Sequence, residues 1–156
     1  MEHSKIKNII IVVLAVLLLA AVGFIAWYFT RPAAPELERG AVALTPTPTG
    51  QQAPDGIQIP GYPQLVADSA TGVVSVMFQN PEGNPCYFQI DLVLQDTGET
   101  IYKSGLFGPG TGIESPKLDT IPAPGVYSAV IVYNTQSLTD NSSMNGASIQ
   151  TELTVQ

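Results

Sequence analysis

The side chains that could do chemistry are few, and their types do not combine. The only histidine, His3, stands in a short tail before an apolar segment, and the only cysteine, Cys86, lies far downstream. Neither a Ser-His-Asp nor a Cys-His arrangement can therefore be assembled in the region after that segment. A zinc site needs several nitrogen or sulfur ligands, and one thiol does not supply them. Gly108-Pro109-Gly110-Thr111-Gly112 lacks the lysine and the following helix of a phosphate-cradling loop, so it reads as a turn. Among the carboxylates, Asp96 and Glu99 flank a hairpin turn, and Asp140-Asn141-Ser142 precedes the last strand. Glycosidases need two carboxylates facing a cleft, which a small sandwich rarely offers, and the EF-hand spacing for calcium is missing. Local hydrogen bonding to backbone is the expected task of both acidic turns. A Lys–Asn crosslink would need Lys103 or Lys117 buried beside an asparagine and a carboxylate, and both lysines are expected to be exposed. Cys86, in an apolar stretch, is expected to pack as a small hydrophobe. No catalytic residue, no cofactor and no metal site is expected.

Aromatic side chains give the one hint of binding. Tyr87 falls on the polar face of its strand and Phe107 falls in a loop, so both are candidates for an exposed surface that stacks on sugar or anchors a protein. Tyr62 and Tyr102 are placed less clearly by the pattern. From Ile57 onward the acids are Asp68, Glu82, Asp91, Asp96, Glu99, Glu114, Asp119, Asp140 and Glu152, against only Lys103 and Lys117. Such a surface repels phosphate, which argues against nucleic acid as a partner. A lone cysteine also allows no internal disulfide, so the domain must rest on its core.

The elements that would position these residues begin with a membrane segment. Residues 9–29 contain no charged side chain, and as a helix they rise about 31 Å, close to the hydrocarbon thickness of a bilayer. Trp27 and Tyr28 suit the aromatic belt at its end. Ala21-Val22-Gly23 offers a small-x-small cleavage site. The apolar run continues well past it, however, so an uncleaved signal-anchor is the favoured reading over a cleaved signal peptide. Lys5 and Lys7 precede the segment and Arg31 and Arg39 follow it, which places residues 1–8 in the cytoplasm and the C-terminal domain outside. The expected location is thus the cell membrane, crossed once.

Residues 30–56 read as a disordered Pro/Thr-rich linker, with prolines at 32, 35, 46, 48 and 54. Residues 57–156 then change to short alternating runs. Ile57–Ile59 reads as an entry strand and Tyr62–Ala67 as its continuation, followed by an alternating run over Gly72–Asn80. Asn80-Pro81-Glu82-Gly83-Asn84-Pro85 is a turn by residue type. Cys86–Gln95 has the clearest alternation, with Cys86, Phe88, Ile90, Leu92 and Leu94 on one face. Asp96–Glu99 turns into Thr100–Ser104, and Leu106–Gly112 is a loop. Ile113–Thr120, interrupted by Pro116, is expected at a sheet edge. Val126–Thr135 and Ala147–Gln156 complete the set. The expected fold is all-β: an antiparallel β-sandwich of about seven strands behind one transmembrane helix.

Gly125-Val126-Tyr127-Ser128-Ala129 resembles the tyrosine corner of immunoglobulin-like folds, with Ala129 where antibody domains carry cysteine. The order of Ile57–Tyr62, Asn80–Phe88, Gly108–Gly110, Pro122–Tyr127, Asn145–Ala147 and Leu153–Gln156 resembles a group of anchored surface proteins of Gram-positive bacteria, often encoded in integrative conjugative elements. That resemblance implies an Ig-like domain on a bacterial surface and carries no activity with it. The expected function is a non-enzymatic extracellular interaction module that contacts another protein, with a carbohydrate- or cell-wall-binding module as the alternative.

Overall fold

The computed structural model describes residues 2–30, 35–45 and 56–156, in a first unit ending at Ala34 and a second running from Pro35 to Gln156. The first unit is the helix α1, Glu2–Thr30, which contains the expected 9–29 segment and extends it at both ends. Ile6–Thr30 is long and apolar enough to cross a membrane. Large apolar side chains are exposed all around it, and a helix of that kind is stable only where its surroundings are as apolar as it is. The last turn is closed by Thr30, whose Oγ1 donates to the Ala26 carbonyl at 2.8 Å.

The second unit is built of strands: β1 Ala41–Ala43, β2 Gln64–Ala67, β3 Met77–Asn80, β4 Cys86–Leu94, β5 Thr100–Lys103, β6 Thr111–Glu114, β7 Gly125–Ser137 and β8 Ser143–Val155. They form two sheets, a three-stranded one ordered β1-β6-β3 and a five-stranded one ordered β2-β8-β7-β4-β5. Both sheets contribute to a single core. Phe78 and Ile113 come from the smaller, and Leu65, Phe88, Ile90, Leu92, Ile101, Ile131 and Leu153 from the larger. Phe78 stacks on Tyr102 across the two layers, with ring centroids 6.2 Å apart. The chain is therefore one apolar helix followed by a two-sheet β unit, consistent with the sandwich expected.

β4 shows why its residues make this structure. Burial alternates without a break along all nine positions, so Cys86, Phe88, Ile90, Leu92 and Leu94 point into the core as the pattern predicts. β7 and β8 are each 13 residues and form a long antiparallel hairpin, with a bulge between Tyr133 and Thr135. β8 starts earlier than the expected Ala147.

Several expectations need correction. The pairing is not wholly antiparallel, because β2 runs parallel to β8, with Leu65 beside Leu153. Ile57–Ile59 is not a strand; its backbone is held by a side chain instead, the Gln58 N–H donating to Asn84 Oδ1 at 2.8 Å. Within Gly72–Asn80 only β3 is a regular strand. β6 is not an edge but the centre of its sheet, flanked by β1 and β3. Pro116 lies past the end of β6, where no N–H is required of it, and its carbonyl accepts from Val74 N at 2.8 Å.

The largest correction concerns the linker. Of residues 30–56, the stretches 31–34 and 46–55 lie outside the described residues, and with them most of the prolines. Residues 35–45 are described, and they are a strap on the second unit. The Glu38 N–H donates to the Leu106 carbonyl at 2.6 Å, and the Leu44 N–H to the Gly110 carbonyl at 2.9 Å. β1 pairs with β6, Ala41 opposite Ile113 and Ala43 opposite Thr111. Two glycines make the close approach possible. A Cβ on Gly105 would meet the Glu38 backbone at 3.1 Å, and one on Gly112 would meet the Phe78 carbonyl at 2.8 Å and Leu44 at 3.1 Å.

Candidate functional site

The densest polar cluster is built by the Asn-Pro turn that leads into β4. Asn80 is fully buried and Asn84 nearly so. Asn80 Nδ2 donates to the carbonyls of Cys86 (3.0 Å) and Phe107 (3.1 Å). Its Oδ1 accepts from Asn84 Nδ2 at 2.8 Å. Asn84 Nδ2 also donates to the Gln58 carbonyl at 2.9 Å, and Asn84 Oδ1 accepts from Gln58 N. Both amides thus spend their two donors and an acceptor on the fold, as buried amides must. The sequence reading treated these asparagines only as turn residues. The signal for more was their four-residue spacing directly before the most regular strand.

The cluster fixes both candidate aromatics. Phe107 is 1% exposed, so the expectation that it belongs to a binding surface is overturned. Its backbone exchanges two hydrogen bonds with Phe88, at 2.9 and 3.0 Å, and its ring meets that of Phe88 edge-on at 6.1 Å. A loop residue was drawn into the core because its carbonyl and ring both found partners there. Tyr87 points outward from β4, half-buried, opposite Gln136, with its ring against Gly108. The structure therefore does not bring Tyr87 and Phe107 together. Tyr62 and Tyr102 are likewise structural. The Tyr62 hydroxyl accepts from Gln79 N at 2.9 Å, and burial raises its pKa. Tyr102 is 7% exposed, and burial, with help from Glu38 and Asp119, pushes its pKa up strongly. Cys86 is fully buried, and burial raises its thiol pKa, which disfavours the nucleophilic thiolate.

The acidic turns serve the backbone. Asp140 Oδ1 accepts from the Ser142 hydroxyl (2.7 Å) and N–H (3.1 Å), and these bonds hold its pKa below the ordinary aspartate value. Asp68 does the same with Thr71, whose hydroxyl and N–H both lie 2.7 Å away. The ingredients of a Lys–Asn crosslink do meet on the outer face of the five-stranded sheet. Lys103 Nζ lies 3.7 Å from Asp91 Oδ1, and Asn134 Nδ2 donates to Asp91 Oδ2 at 3.0 Å. The Lys103 side chain is 59% exposed, however. A hydrated ammonium keeps its proton and has no lone pair for attack, so this is an ion pair.

Beside Tyr87, the outward positions of β4 and β7 carry Gln89 next to Asn134 and Val93 next to Val130, with Val132 between. This flat face bears only Asp91 and Lys103 as charges and is the one surface of the described residues that gathers an aromatic, amides and aliphatic side chains. No protein-family model, curated protein or solved structure matches this chain.

Proposed function

We propose that the chain is a non-enzymatic, membrane-tethered module whose β unit contacts another protein outside the cell. The observation that carries the reading is the face around Tyr87. It is sparsely charged in a domain that is otherwise strongly acidic, while the buried amides and the acidic turns are spent on holding the fold. Interfaces concentrate aromatic residues where charge is depleted. α1 supplies the anchor. The spacer proper is four residues, 31–34, in place of the longer stalk, because the strap belongs to the β unit.

The finer fold assignment, an Ig-like sandwich, rests on two features. A first strand parallel to the last, at the edge of a sheet whose next members are β7 and β4, fits such a domain. The Tyr127 hydroxyl also donates to the Ala123 carbonyl four residues upstream, at 2.7 Å, the bond that defines a tyrosine corner.

Crosslinking on intact cells followed by affinity capture tests the function. A reproducible partner is expected, and Val130→Lys should reduce its recovery at least tenfold with the β unit still folded. Recovery of no partner, or of one indifferent to Val130→Lys, overturns the reading. Tyr87 with its neighbouring amides also supports the alternative of a glycan- or cell-wall-binding module. In that case the full chain in nanodiscs binds peptidoglycan or an arrayed glycan, and Tyr87→Ala abolishes the binding.

A further inference from the structure

β8 is covered unevenly along its outer edge. β7 pairs with it along its whole length on one side, but β2 covers the other side only from Glu152 to Val155. Glu152 N and Gln156 N donate toward β2, to the carbonyls of Pro63 and Ala67. In an extended strand every second residue faces the same way. The backbone groups of Ser148 and Gln150 therefore continue that outward row, and no partner is recorded for them among the described residues. At the bulge the parity inverts. The Ser137 N–H donates to the Ser142 carbonyl, so Ser142 and Met144 face β7 and Ser143 faces out. The Asn145 carbonyl is taken by the Thr135 hydroxyl at 3.1 Å.

This edge carries none of the usual protections. Ser143–Thr151 contains no charge and no proline, and its first four residues are exposed along with Ser148 and Gln150. Natural sheets blunt an open edge with lysine, proline or shortness. The opposite edge of the same sheet shows the contrast, because β5 is four residues long and ends in Lys103.

We infer that the Ser143–Thr151 edge of β8 pairs antiparallel with the same edge of a second copy of this chain. Three observations select a second copy over a foreign strand. The run is uncharged inside an acidic domain, so two copies can approach without meeting like charges. Both copies would be held in one membrane by α1. And one register is self-complementary: with Gln150 opposite Ser143 of the second copy, two outward-facing residues meet. Met144 then lies opposite Ile149, twice over. Met144 shares the inner face of the sheet with Thr135, its partner on β7, and Ile149 shares it with Ile131. A two-fold axis normal to the sheet keeps the inner faces on one side, so the half-exposed Met144 of each copy packs on Ile149 of the other, at a closely spaced, non-hydrogen-bonded pair. The pairing stops at Thr151, short of β2. The inference stands apart from the Tyr87 face, which it leaves open.

The test uses the full chain in lipid vesicles. Met144→Cys combined with Ile149→Cys should give a disulfide-linked dimer as the main species after mild oxidation, because Cβ atoms at such a pair approach bonding distance. Either single variant should give at least tenfold less. Adding Gln150→Pro removes one outward N–H without touching the β7 ladder, and should lower the dimer at least tenfold. Hydrogen exchange on the unmodified chain guards against misfolding of the variants: the Ser143, Ser148 and Gln150 amides should be protected at high protein density and exposed on dilution into excess lipid. A double variant that crosslinks no better than the single ones, or amides that exchange freely at every density, overturns the inference.

Discussion

The two sheets of the β unit are stabilised by different means. The five-stranded sheet is made of long strands whose side chains alternate, and β4, β7 and β8 bury one apolar face over 9 to 13 residues. The three-stranded sheet is made of strands of three or four residues, and no one of them could bury enough surface to hold its place alone. It is tied instead by backbone contacts that depend on glycine and on the side chain of Glu38. Hydrophobic pattern specifies the larger sheet, and close approach specifies the smaller one.

The strongest way to break that contrast is through the shared core. Phe88 is fully buried between the rings of Phe107 and Tyr133, at 6.1 and 5.4 Å. Phe88→Ala should cost about 3–5 kcal/mol of global stability. Denaturant unfolding of the full chain in nanodiscs, followed by tyrosine fluorescence because the only tryptophan is in α1, measures it. A loss confined to one sheet would mean that the two layers do not unfold together.

Next comes Asn80, the last residue of β3, which reaches across to the start of β4 and to Phe107. Asn80→Ala leaves those carbonyls and the Asn84 amide short of a partner in a dry site, at a cost of roughly 2–3 kcal/mol. Asn80→Asp keeps the acceptor for Asn84 but loses both donated bonds, so it should rescue little. A variant as stable as the parent would show that water replaces the amide, and the turn would then be a simple connection.

The same division explains what could be read from the sequence. β4, the β7–β8 hairpin and the Tyr127 corner were legible because period-two alternation and turn residues report directly on burial. The strap was not legible, since Leu37 to Leu44 holds one short apolar run, Ala41-Val42-Ala43-Leu44, amid residues typical of a spacer. What specifies it is the absence of side chains at Gly105 and Gly112, far along the chain, and a tertiary approach of that kind leaves no periodic trace. Phe107 was misplaced for the related reason that an irregular loop gives no inward or outward phase. The candidate surface was half legible: Tyr87 followed from strand phase, and its neighbours on β7 required the register.

The strap offers a smaller and more local test. Glu38 Oε2 accepts from Gly105 N at 2.6 Å, and Glu38→Ala removes that charge-assisted bond. A loss of about 1–2 kcal/mol is expected. It should appear as faster hydrogen exchange at Glu38 and Leu44, whose amides donate to Leu106 and Gly110, with the β7–β8 ladder unchanged. Slowed exchange throughout the larger sheet would contradict the idea that the strap is tied independently.

Acid sharpens the comparison with the least perturbation. Asp68 caps the turn that carries the chain from β2 in the larger sheet toward β3 in the smaller, whereas Asp140 caps the hairpin inside the larger sheet alone. Both carboxyls are held below the ordinary value of 3.8, Asp68 first by the Thr71 hydroxyl and Asp140 first by the Ser142 hydroxyl. A depressed folded pKa stabilises the native state above the unfolded value, and that contribution disappears as the pH falls through the folded value. Acidification below about pH 4 should therefore loosen both turns, by little, because both groups are fully exposed to solvent. Carbon-detected NMR titration should find both midpoints below the ordinary aspartate value, and a midpoint at or above it would mean that the turn bond is absent. Because the Asp68 turn joins the sheets, its protonation should raise exchange at Val73 and Gly72 on the path into β3. Protonation of Asp140 should raise exchange only near Ser142, so the connecting turn would couple the two layers where the hairpin turn does not.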